Sequence, residues 1–395
     1  MPKVDCSSRQ TRARGRLFSL LLVGGSFALG GTVDAATLNL AWSANPESNI
    51  GGYILHYGTS PQAFSANINV GNVTQYAFNE PVSGAVYFFA LQAYNTSGQL
   101  SPMSNQISST RLTFMNFDGD ARSDIAVFRP SDGSWWVKQS GLPGYVVQTW
   151  GDAGDVPMGG DFDGDGKTDL GLFRPTAGYW YIRYSANGFS STGQQGFRWG
   201  DDGDIPLLGD FDGDRRTDLT IYRPSTGYWY IWNSRGVSVY RFGAIGDQPV
   251  SADFDGDRKN DLVVYRPSTG QWFWALSSGN YKSTTWGGVK WGDPGDQPVS
   301  GDFDGDTRTD LAVYRTSNAY WYIRSSLNGS IAVYNWGAPG LDVPVVNDYD
   351  GDGRSDVAVF RPTTSAWYKL LSSTNFTNYS WDLWGALGDQ PLLKR

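Results

Sequence analysis

The sequence predicts an all-β protein, with a small antiparallel sandwich over residues 36–110 followed by a β-propeller over residues 111–395. Three observations carry that prediction. An aspartate-rich segment returns six times, starting at Asn116, Asp161, Asp210, Asp253, Asp302 and Asp348, at intervals of 43 to 49 residues. A period in that range marks a solenoid, a propeller or an array. Each unit also holds four short strand-like pieces between turns, which is the content of one propeller blade; in the fifth unit they are 298–301, 311–315, 321–325 and 331–336. Finally, no sustained 3.6-residue apolar period appears after residue 111, where Gly, Pro, Ser and Thr punctuate the chain throughout.

The first 35 residues stand apart from this pattern. Lys3, Arg9, Arg12, Arg14 and Arg16 precede an apolar stretch from Leu17 to about Leu29, and small residues lead up to Ala36. That order reads as a secretory signal peptide. Glycines 24, 25, 30 and 31 interrupt a run too short to span a bilayer, and no other stretch is suited to crossing one. The expected destination is therefore outside the cytoplasm, as a secreted, cell-surface or periplasmic protein. Cys6, the only cysteine, lies within the leader, so the mature chain has no disulfide and relies on packing and ions. Loss of residues 1–35 removes five positive and two negative charges and takes the net charge from −8 to −11. With no basic patch, nucleic acid is excluded as an expected partner.

Residues 36–110 contain none of the aspartate loops. Segments 38–42 and 52–57 alternate like half-buried strands, with Asn45-Pro46 and Gly51-Gly52 between them, and a further segment, 84–95, precedes Ser97-Gly98. This pattern resembles a fibronectin type III domain, with Trp42 as its core tryptophan and Tyr87 in the tyrosine-corner position. His56, the only histidine, falls in one of these strands and has no partner group in the sequence that marks it as a catalytic base.

Within each repeat, strand parity places the motifs. The aspartate loop joins the first and second strands at one end of the unit, here the lower end. The turn between strands two and three and the link into the next unit then share the upper end. In the turn, an arginine precedes a tryptophan by six residues in every copy: Arg129/Trp135, Arg174/Trp180, Arg223/Trp229, Arg266/Trp272, Arg315/Trp321 and Arg361/Trp367. The links carry Trp150, Trp199, Trp291, Trp336 and Trp384, with Phe242 at the remaining place. Segments 112–115 and 388–393 compete for one position, the strand preceding the first loop; whichever fills it closes the ring and removes the exposed edges. Six blades are expected, with seven as the alternative.

Carboxylates at loop positions 1, 3, 5 and 9 repel one another unless a hard cation lies between them, and calcium takes six to eight oxygens. The wording FDGDGKTDLGLFRP, from residue 162, recurs as FDGDARSDIAVFRP, FDGDRRTDLTIYRP, FDGDRKNDLVVYRP, FDGDTRTDLAVYRT and YDGDGRSDVAVFRP. Over about residues 111–395 this resembles the FG-GAP repeat, integrin-alpha-like and also called VCBS. The resemblance implies a calcium-loaded β-propeller with up to six ions. Its ligand positions map onto Asn116, Asp118, Asp120 and Asp124; Asp161, Asp163, Asp165 and Asp169; Asp210, Asp212, Asp214 and Asp218; Asp253, Asp255, Asp257 and Asp261; Asp302, Asp304, Asp306 and Asp310; and Asp348, Asp350, Asp352 and Asp356. The position 7 carbonyl, that of Lys167 in the second copy, completes each set. Asn116 keeps an oxygen but loses a charge, which makes the first loop the weakest expected site.

Calcium is expected to fix turns rather than to activate water. Residues 111–395 contain no His, Cys or Glu, which leaves little for acid–base or thiol chemistry. The expected function is an exported binding or adhesion module for an extracellular glycan or protein. The alternative is a polysaccharide-acting enzyme, a lyase or hydrolase, using Asp, Tyr and Arg on the upper face. Upper-face Trp and Arg read either as structural pins between blades, favoured because every repeat has them, or as a ligand surface. On the second reading Trp291 and Trp336 are the stacking candidates, since a ligand site should break the symmetry. Symmetry breaks at Phe242 and in the fifth unit, where Thr316 and Asn318-Ala319 replace Pro and Thr-Gly. Nothing in the sequence sets the oligomeric state.

Overall fold

The computed structural model describes residues 20–22, 37–42, 44–45, 47–58, 64–79, 87–104, 107–108, 114–120 and 122–394. Among them there is no α-helix, only short 3-10 turns between strands. Apart from Leu20–Leu22, which pairs with Thr37–Trp42, the expected leader lies outside the described residues. No helix is long and apolar enough to cross a membrane among the described residues.

Toward the N-terminus two antiparallel sheets share one core. The first contains Leu20–Leu22, Thr37–Trp42 and Gln75–Asn79; the second contains Ala66–Gly71, Ile50–Gly58, Phe88–Asn95 and Ile107–Ser108 in that spatial order. Leu40, Trp42 and Phe78 from the first meet Tyr53, Leu55, Phe89 and Leu91 from the second, with Tyr87 buried among them. His56 hydrogen-bonds Gln92 Oε1 across its sheet at 2.9 Å.

Six four-stranded antiparallel sheets follow, each a meander, an arrangement consistent with a propeller. Their second strands are Ile125–Arg129, Asp169–Arg174, Leu219–Arg223, Asp261–Arg266, Asp310–Arg315 and Val357–Arg361. These strands are buried almost without alternation, because both faces are covered by neighbouring sheets. The fourth strands, such as Trp286–Lys290 and Ile331–Asn335, alternate exposed and half-buried residues and form outer edges.

The first sheet takes its missing strand from the end of the chain. Gln390–Pro391 pairs with Ile125–Arg129, and Leu392 N donates to Ala126 O at 3.0 Å. Of the two segments competing for this place, 388–393 therefore fills it; Phe114 and Met115 instead form a turn leading into the first loop. Six apolar cores lie between consecutive sheets. One joins the sixth sheet to the first through Phe360, Trp367, Ile125 and Val127, so the packing closes on itself.

These cores are filled in an alternating way. The even sheets carry a longer turn between strands three and four, and it delivers Phe189, Tyr281 or Phe376 into the core shared with the preceding sheet. Phe189, Tyr281 and Phe376 hold left-handed backbone there, with φ of 62°, 58° and 58°. The odd sheets have short turns and no such plug.

Candidate metal centres

The five loops that begin with aspartate are built alike. The position 1 side chain accepts from the backbone N–H groups of positions 4 and 6: Gly164 N and Gly166 N reach Asp161 at 2.6 and 2.9 Å, and Gly213 N and Arg215 N reach Asp210 at 2.6 and 2.8 Å. Position 9 accepts from the position 2 N–H, as Phe162 N to Asp169 Oδ2 at 2.8 Å. Both turns require left-handed backbone. Glycine supplies it at position 4, whereas position 6 is Gly166 and Gly353 in two loops but Arg215, Arg258 and Thr307 in others.

The result is a set of converging carboxylates. Oxygens of Asp161, Asp163 and Asp169 lie within 4.8 Å of one another, as do those of Asp210, Asp212 and Asp218, of Asp253, Asp255 and Asp261, of Asp302, Asp304 and Asp306, and of Asp348, Asp350 and Asp356. Burial, then the charge of neighbouring carboxylates, pushes Asp169, Asp261 and Asp310 up to about 7 and Asp218 up to about 9. Buried like charges at this separation are unfavourable without a cation. An all-oxygen donor set fits a hard divalent ion, so these five clusters can hold metal. In the first loop Asn116 Oδ1 accepts from Gly119 N and Asp120 N at 2.8 and 3.2 Å, and among the described residues no carboxylate triplet forms.

A serine that sequence reasoning passed over completes each loop. Ser140, Ser185, Ser234, Ser277, Ser326 and Ser372 each lie sixteen residues after position 9. In five copies the hydroxyl donates to the position 5 carboxylate, as Ser185 to Asp165 at 2.9 Å and Ser277 to Asp257 at 2.8 Å. Ser234 instead donates to Asp212 at 2.8 Å. Its invariant spacing was the signal; a serine in a turn reads as punctuation and hides it.

The loops are also joined to one another. The position 8 N–H of each donates to the position 1 carbonyl of the preceding loop: Thr168 to Asn116, Thr217 to Asp161, Asn260 to Asp210, Thr309 to Asp253, Ser355 to Asp302, and Ser123 to Asp348, at 2.6 to 2.7 Å. The last of these closes a ring of six bonds. Position 7 is basic throughout, and its stem crosses the preceding loop; a Cβ at Gly213 would meet Lys259 Cε at 2.9 Å. Position 4 thus needs glycine for space as well as for φ.

At the opposite end, turn and link are bonded together, as Trp199 N to Gly178 O at 2.8 Å. Each turn arginine forks onto a link aspartate: Arg174 onto Asp155 at 2.7 and 2.8 Å, and Arg129 onto Asp389 at 2.7 and 2.9 Å. Its guanidinium lies over the aromatic seven residues on, such as Tyr230 at 4.9 Å or Trp136 at 5.0 Å, rather than over the tryptophan at six. That tryptophan points to the other face, is buried, and donates from Nε1 to the link carbonyl, as Trp229 to Phe242 O at 2.8 Å. Trp291 and Trp336 are half-buried rather than exposed. Each packs on the neighbouring sheet and donates to its third strand, to Tyr322 O and Tyr368 O at 3.2 Å. The geometry spends these rings on joining sheets.

No curated protein matches the chain in sequence. Among solved structures, an auxiliary nutrient binding protein from Bacteroides thetaiotaomicron is similar at 12% identity, covering 89% of this chain and 94% of that one, with a TM-score of 0.36. Residues 161–221 and 253–313 match the model of the FG-GAP-like repeat. Each match begins at position 1 of one loop and runs through the next, spanning two successive units. The chain thus carries FG-GAP-like repeats, consistent with a β-propeller.

Proposed function

We propose that this protein is an exported, six-bladed β-propeller stiffened by calcium, preceded by a fibronectin type III-like domain, and that it acts as a binding or adhesion module for an extracellular glycan or protein. The observation that carries the reading is the set of five converging carboxylate clusters on one end of consecutive sheets. Their loops are tied into a ring, so a cation in each would fix the lower end as one rigid rim. The ions stabilise the fold, since ligands that bind only the folded state add stability by mass action. The ligand is met by side chains between and around the sheets. A glycan array probed with calcium-loaded and calcium-stripped protein tests this. Calcium-dependent capture of a defined glycan class is the expected result. Failure to retain any glycan or extracellular-matrix protein in either state would overturn it.

A further inference from the structure

Three of the six inter-sheet grooves are odd-to-even and receive the aromatic plugs Phe189, Tyr281 and Phe376. The other three must be closed by the sheets themselves. Between the sixth sheet and the first, Lys369 and Lys138 clasp Asp382 at 2.6 and 2.5 Å. Between the second and third, Trp232 packs on Phe197 and Trp199 at 5.2 and 5.6 Å. Between the fourth and fifth neither device is present, and a cleft of about 470 Å³ remains.

The residues around that cleft break the repeat. Trp274 stands where the other sheets have Val137, Ile182, Ile231, Ile323 and Lys369. Gly287 on the adjacent strand makes room for it, since a Cβ there would lie 2.3 Å from the indole. Phe254 meets the same ring edge-on at 5.4 Å. From the fifth sheet Arg324 faces the cleft, and Arg308 comes from the fifth loop. Among the described residues no carboxylate forms an ion pair with Arg324 and none accepts a hydrogen bond from Trp274 Nε1, whereas Arg308 is exposed and lies in the field of Asp306. The corresponding Lys138 and Arg183 are engaged, on Asp382 and over Trp150. Arg324 thus stands half-buried and without an ion pair among the described residues of a strongly acidic chain, beside an aromatic floor.

The geometry points to this cleft as a binding site for an acidic sugar, a pyranose bearing a carboxylate, with the sugar face on Trp274 and the carboxylate on Arg324. Its size falls in the range of small-molecule sites. A guanidinium matches a carboxylate as a two-bond fork, and an indole offers both a flat apolar surface and one N–H donor. The far rim is the fifth metal loop: Ser325 and Ser326 at the cleft hold Asp304 and Asp306 at 2.5 and 2.9 Å. The inference rests on the binding-module reading and names the ligand class and place that reading leaves open.

Titration calorimetry in calcium buffer, with glucuronate as probe and glucose as neutral control, tests it. Wild-type protein should bind glucuronate at least tenfold more tightly than glucose. Trp274→Ile, which installs the residue of three sibling sheets, and Arg324→Gln, a half-buried position, should each weaken glucuronate at least tenfold while leaving calcium-dependent melting unchanged. Equal affinity for the two sugars, no glucuronate binding, or binding untouched by Arg324→Gln would overturn the assignment. Glycan binding that survives both substitutions would overturn this site alone and leave the binding-module reading standing.

Discussion

Replacing Asp389 by alanine should open the ring at its seam. The carboxylate is fully buried, accepts two bonds from Arg129 at 2.7 and 2.9 Å, and caps the last link by accepting from Ala386 N at 2.7 Å. Breaking a buried pair costs about 3–5 kcal/mol when the remaining charge is sealed from water. The Arg129 side chain is 23% exposed and keeps its place over Trp136, so the cost falls to about 2–3 kcal/mol. Beyond the mutation, the last strand is only Gln390–Pro391, anchored chiefly by buried Leu392. A buried leucine contributes about 1.5–3 kcal/mol, and ordering each residue costs about 1–2 kcal/mol, so the strand should detach. Asp204→Ala removes the same fork from Arg223, but there the following strand, Ile205–Leu207, is held by a short loop to its own partner Leu219–Arg223, whereas Gln390–Pro391 pairs with a strand more than 250 residues earlier. Thermal unfolding should fall by about 4–12 °C for Asp204→Ala, at about 2–4 °C per kcal/mol, and further for Asp389→Ala. Hydrogen exchange should accelerate at 125–129 and 390–392 only in the latter. Unchanged exchange at 125–129 in Asp389→Ala would refute the seam.

Other outcomes follow from single loops. Ser277→Ala should weaken one calcium site a few-fold in a calorimetric titration, because Asp257 loses its hydroxyl donor and keeps only Lys259 N, while the backbone bond to Asp261 remains. Thr307→Gly should raise stability by about 0.5–1 kcal/mol, read by denaturant midpoint, since a β-branched residue at φ 74° gives way to one at ease there. Asn116→Asp should add charge to the first loop and strengthen it toward the others, seen as one further ion in a metal count. Phe189→Ala should cost about 3–4 kcal/mol by emptying the plugged core between the first two sheets, measured by chemical unfolding.

Much of this architecture is legible in the sequence because the repeat fixes several things at once. The aspartate loops, the four strands of each unit and the apolar second strands all recur in phase, so each copy checks the others. What escaped depends on which way a side chain points. Arg174 pairs across the ladder with Tyr179, so Tyr181, two residues along, shares its face while Trp180 turns away. Counting from Arg to Trp found the invariant pair but not the contact. The alternation between plugged and unplugged grooves was present as longer spacings after the second and fourth loops. Only the packing shows that those extra residues fill a core. The half-burial of Trp291 and Trp336 depends equally on the neighbouring sheet, which no single repeat contains.

On the proposed reading the loops are metal cages on which the fold depends. Native mass spectrometry of calcium-equilibrated protein, paired with melting curves before and after chelation, tests it most directly. At least five calcium ions per chain are expected, all removed by chelator, with a large fall in melting temperature, since each site adds about 2.7 kcal/mol at a hundredfold excess over its dissociation constant. A chain that binds no calcium, or one whose melting curve is unchanged once the metal is stripped, would contradict it.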